Sequence, residues 1–428
     1  MRFNQVIKLT LTVFVVSLAL SACAQPLPGQ VSTQNTSDVT SILVETQNQI
    51  SNIRGLQPPV DLPRTFLTPD EIRQKVENEF FSEYTPEDAD KDSKSLWLLG
   101  LLPKDFDLLD FYQKLYTEQI GGYYDDETKS MYVVQSGLFS IVERTTYAHE
   151  FTHALQDHNF AFSDNLRYSD EDCKQESERC AALQALIEGD ASYTETLWFS
   201  KYASDKDLTD LQSYYLSMDM PVYDSAPAYM RDDLTFAYLY GQQFVTHLYA
   251  QGGFEVIDKA FTELQPVSTE QILHPSRYPD DKPVPVELPD LAGTLGKDWK
   301  VVEIDTLGEW FTWLLLARGD ETNTRLNDVK ASAAAEGWGG DQFAILRNET
   351  SGENAIVMSY IWDTPTDEQE ASKAFADWLS LRFGSPDGSG RYTSAGITAI
   401  LRESDRGGFT LVFAENVTTA TDLMQFLP

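Results

Sequence analysis

Positive charge is scarce in this chain: 32 Lys and Arg stand against 67 Asp and Glu in 428 residues, a formal net charge of −35. A surface that negative repels nucleic acid and anionic headgroups, so no nucleic-acid partner is expected. Apolar runs are short as well. The N-terminal one, residues 9–20, holds twelve residues and is too short to span a bilayer comfortably. A phosphate loop is missing, because Gly337-Trp338-Gly339-Gly340 lacks the Lys-Ser/Thr that would follow one. Cysteine is confined to Cys23, Cys173 and Cys180 and histidine to five positions, none of either beyond residue 290. The C-terminal third therefore offers no imidazole or thiolate ligand. What remains is ordinary: 42% hydrophobic residues suffice for well-filled cores, and the length suits two domains.

The N-terminus carries an address. Arg2 and Lys8 precede the apolar run and Leu20-Ser21-Ala22-Cys23 ends it, the layout of a signal peptide over residues 1–22. Its ending resembles a bacterial lipobox, which implies Cys23 as the lipidated first residue of an extracytoplasmic, membrane-anchored protein. Residues 23–38, rich in Pro, Gln, Ser and Thr, read as a flexible tether. In an oxidising compartment Cys173 and Cys180 are expected to form a disulfide, worth about 2.5 kcal/mol for so short a loop.

The chemistry concentrates in Tyr147-Ala148-His149-Glu150-Phe151-Thr152-His153-Ala154-Leu155-Gln156-Asp157, an H-E-x-x-H pattern. Residues four apart stand on one face of a helix, so His149 and His153 can both bind one metal ion. Glu150, beside them, is placed to take a proton from a water held by that metal. A third histidine at the metzincin spacing is excluded, since Gln156 and Asn159 occupy the positions that would be Gly and His. The alternative is a carboxylate from a later helix. Leu183, Ile187, Ala191, Thr194 and Trp198 make a buried stripe that leaves Glu188 on the adjoining face, with Asp190 as competitor. Two histidines and one carboxylate leave a tetrahedral Zn2+ one open position, as catalytic sites require.

H-E-F-T-H followed by a helix carrying E-G-D-A resembles the gluzincin-type zinc metallopeptidases. The longer stretch H-E-x-x-H-A-L-Q-D is similar to a group of largely uncharacterised bacterial secreted proteins. Gly121-Gly122-Tyr123-Tyr124-Asp125, Ser268-Thr269-Glu270-Gln271-Ile272-Leu273-His274-Pro275 and Gly337-Trp338-Gly339-Gly340-Asp341 share in the likeness. The resemblance implies one zinc ion, a peptide or protein substrate, and a late His or Tyr stabilising the oxyanion, for which His274 and Tyr278 are the candidates. Gluzincins often orient a histidine with an Asp four residues after the ligand Glu. That position is Ser192 here, leaving Asp157 and Asp190 as candidates. Two other functions are weighed: a surface lipoprotein with a non-catalytic binding or assembly role, and a zinc amidase acting on cell-wall crosslinks.

Residues 122–124 and 131–134, around a polar turn, predict a hairpin ahead of the histidine helix, an edge to which an extended substrate could add as a strand. Helical spacing is predicted over 39–53, from 68, over 107–118 and over 236–249. The Pro- and Asp-rich residues 279–289 mark a boundary. Beyond it helices are predicted at 307–317, 327–336 and 366–381, strands at 343–347, 355–362, 397–402 and 409–413, and a last helix from 418. The expected fold is α+β: a helix-rich, zincin-like catalytic domain with a small N-terminal hairpin or sheet over 39–290, then a smaller α+β domain with a mainly antiparallel sheet over 291–428.

Overall fold

In a computed structural model of the chain, the structure describes residues 36–427 apart from 120, 135–138, 292 and 405–406. The expected signal peptide, Cys23 and all but the end of the tether lie outside the described residues. The fold is α+β, with a helix-rich unit first and a sheet unit after it. The first helix, Thr36–Arg54, begins three residues before its predicted start at 39 and so takes in the last residues of the predicted tether.

Three long helices form the centre of the first unit. The histidine helix, Ile141–Phe160, starts at a capping box in which the Ser140 hydroxyl accepts the Val142 N–H at 3.2 Å and the Glu143 carboxylate takes the Ser140 N–H at 2.8 Å. Fifteen of its 20 residues are buried, so it is a central helix whose polar side chains must find partners inside the protein. Next comes the Glu188 helix, Ser177–Tyr202, and then the Tyr238 helix, Ala228–Gly252. These last two touch backbone to backbone: a Cβ added at Gly189 would lie 2.2 Å from the Gly241 carbonyl oxygen, and one at Gly241 would lie 2.1 Å from that of Ala185. Only glycine permits this approach. A disulfide between Cys173 and Cys180 ties the start of the Glu188 helix to the short helix Asp170–Cys173.

The predicted hairpin is present, Gly122–Asp125 pairing antiparallel with Ser130–Val134. A strand not foreseen, Arg64–Leu67, adds in parallel on the other side, which leaves Gly122–Asp125 at the sheet edge against the histidine helix. The second unit is a six-stranded antiparallel sheet whose four inner strands, Trp338–Asn348, Asn354–Trp362, Phe409–Ala414 and Ile397–Glu403, were predicted with shorter bounds. Its edges, Trp299–Asp305 and Arg391–Ser394, were not, because half-exposed edge strands carry weak apolar patterning. Helix Pro86–Leu99 was missed too. It buries Lys91 and Asp92 where a core residue would be looked for. One hydrophobic core runs through both units, from Ile72 by way of Leu186 and Trp310 to Phe413.

Candidate metal centre

His149 and His153 present their rings edge to face, centroids 4.8 Å apart. Both Nε2 atoms converge on one Glu188 oxygen, at 3.1 Å from His149 and 3.4 Å from His153. Ligand atoms at the corners of a tetrahedron with bonds of about 2.0–2.1 Å are separated by about 3.3–3.4 Å, so the spacing suits a zinc ion. The donor set suits it as well. His153 Nε2 is fully buried with no hydrogen-bond partner, and such an orphaned acceptor is costly unless a ligand uses it. Asp190, the competing ligand, turns instead towards Arg54 and Gln156.

Electrostatics bind the cluster together. Burial works against a charged His149, but hydrogen bonds to Glu188 and Glu195 outweigh it and hold its pKa up at about 10. Burial likewise pushes Glu188 up, and the two histidines overcome this and bring it down to about 2. A divalent cation would take the place of those protons.

Each ligand is oriented from behind. His149 Nδ1 meets Glu195 at 3.1 Å, and His153 Nδ1 meets Gln156 at 2.9 Å. Glu195 is two helical turns beyond Glu188 and Gln156 three residues beyond His153, spacings that could have been read as shared faces. Of the residues named for this role from sequence, Asp157 does something else: it accepts from the Tyr124 hydroxyl at 2.7 Å and from Lys129, tying the edge strand to the histidine helix.

Glu150 is fixed by that strand. Its carboxylate accepts the Tyr124 backbone N–H at 2.9 Å. Tyr238 completes the cluster, its ring 6.2 Å from that of His149 and its hydroxyl hydrogen-bonded to Glu188. Burial, then the charges of Glu188 and Glu150, raise its pKa well above the usual phenol range and keep it a donor. No spacing connects Tyr238 with the motif, and the sequence reading did not find it.

His274 and Tyr278 are not brought to this cluster. His274 caps the helix Thr269–Leu273 and pairs through Nε2 with Glu309 at 2.9 Å. Thr269 of that helix contacts Glu178, ten residues and so about 15 Å along the helix axis before Glu188. The Tyr278 hydroxyl donates to the Leu264 carbonyl, and its ring packs edge-on against Phe244. His274 thus serves the seam between the units, whereas Tyr278 packs within the first unit, and the phenol beside the histidines is that of Tyr238.

No curated protein and no solved structure matches the chain. Residues 300–424, which make up most of the sheet unit, match a family described as a domain of unknown function (DUF8575).

Proposed function

We propose that this chain is a gluzincin-type zinc metallopeptidase that acts outside the cytoplasm, tethered to a bacterial membrane by a lipid on Cys23. The observation that carries the reading is the buried convergence of His149, His153 and Glu188, with His153 Nε2 making no hydrogen bond and a second carboxylate, Glu150, beside them. A structural metal site has no use for that extra carboxylate. Zinc held there would acidify water and polarise a peptide carbonyl. Glu150, anchored by the Tyr124 N–H, takes up the proton and returns it to the leaving amine. Tyr238 donates its hydroxyl hydrogen to the carbonyl oxygen as negative charge grows there. The strand Gly122–Asp125, at the edge of its sheet, offers backbone groups to an extended peptide.

Digestion of a diverse peptide library by the full chain in detergent tests this. Cleavage is expected to disappear on chelation, return with zinc, and fall at least about 100-fold in Glu150→Gln with zinc still bound. Cleavage that persists in Glu150→Gln would overturn the assignment of the base. A parent carrying one zinc that leaves the library intact would overturn the peptidase reading.

A further inference from the structure

The two histidines are held from behind by different chemistry. Glu195 offers His149 Nδ1 a carboxylate, which can only accept, so the tautomer follows directly. Gln156 offers His153 Nδ1 an amide. An amide that turned over would present its nitrogen instead, and a donor there would require the opposite tautomer, with the proton on the nitrogen that faces Glu188.

The neighbours of Gln156 decide which way it faces. Its Nε2 donates to the Ile187 carbonyl at 3.0 Å and to Asp190 Oδ2 at 2.8 Å. Turning the amide would set its oxygen against two acceptors. Asp190 is in turn held by Arg54 Nε at 2.9 Å, and neither side chain is exposed. Arg54 ends the first helix, wedged against the Phe254 ring at 4.6 Å and joined to Asp258 at 2.7 Å.

We infer that Arg54 is a positioning residue for the metal ligand His153: by way of Asp190 and Gln156 it fixes the Nδ1–H tautomer that leaves Nε2 free to bind. The first helix is thereby part of the metal centre. This inference rests on the metal site proposed above, and it extends that site to a residue with no sequence relation to the motif. Without the guanidinium, the Asp190 carboxylate loses the group that fixes its position, and the Ile187 carbonyl alone is left to hold the amide against turning. Asp190→Asn attacks the same link from the other side, since a group of the same shape can then donate to a turned Gln156.

The test compares the full chain with Arg54→Met, Arg54→Lys and Asp190→Asn. Zinc affinity is read by competition with a chromophoric chelator, folding by melting curves, and the His153 tautomer from nitrogen-15 spectra of the metal-free chain at a pH where the ring is neutral. Arg54→Met and Asp190→Asn are expected to lose tenfold or more in zinc affinity and to populate the other tautomer, while Arg54→Lys, which keeps the charge, recovers most of the affinity. A folded Asp190→Asn that binds zinc within twofold of the parent and keeps its Nδ1–H would overturn the inference, whether or not Arg54→Met folds. A parent that takes up no zinc would instead refute the metal site, and the tautomer readout would still judge the relay.

Discussion

At the scale of single residues, the site is a set of buried polar groups held by one another, with His153 Nε2 left without a hydrogen bond for a ligand to use. His149, Glu150 and His153 were legible because a spacing of four closes on one helix face whatever the tertiary fold. Glu188 was legible as the polar residue beside an apolar stripe. Tyr238 was not, since its role depends on a helix crossing that no local pattern encodes. Its hydroxyl can be tested directly. Tyr238→Phe is expected to lower kcat by about 100-fold with little change in KM, as removal of an oxyanion donor does. Zinc content should stay at the parent level. A fall in zinc content instead would show that the hydroxyl serves Glu188 and not the substrate.

At the scale of elements, the position of Glu188 and Tyr238 depends on how closely their helices approach. Gly189→Ala places a methyl group 2.2 Å from the Gly241 carbonyl oxygen, so the helices must separate. Overpacking of this kind costs about 1–3 kcal/mol, more than the roughly 1 kcal/mol that alanine gains over glycine in a helix. The variant should melt lower and bind zinc more weakly, whereas Gly388→Ala, with open space around it, should leave both unchanged. The helix start at Thr68-Pro69 could be read because its cap is a local hydrogen bond. The strand Arg64–Leu67 could not, because a four-residue strand is defined by the partner it joins.

At the scale of the whole molecule, the acidity that marks the sequence reaches into the seam between the two units. Burial, reinforced by Glu309, Asp281 and Asp363, raises Glu270 to about 8. Burial alone is the main cause that raises Asp341 to about 7 and Asp233 to about 6, and it lifts Glu178 well above the usual range. A carboxyl whose folded pKa is raised binds more protons folded than unfolded, so its contribution is complete below the unfolded value near 4 and lost as pH rises through the folded one. His149, raised to about 10, acts in the same direction above 6.5. The melting temperature of the metal-free chain is therefore expected to fall steadily from pH 5 to pH 8. A flat or rising profile would mean that these carboxyls are not buried as described. By itself the sequence determined the α+β class, the long helices, the four inner strands and the H-E-x-x-H face, because periodicity and caps act within a few residues. Only the tertiary structure decided the rest. Which distant side chains converge depends on helix approach and on which buried polar groups must satisfy one another, and so Arg54, Glu195 and Tyr238 gather round the candidate metal centre while His274 goes to the seam and Tyr278 packs elsewhere in the first unit.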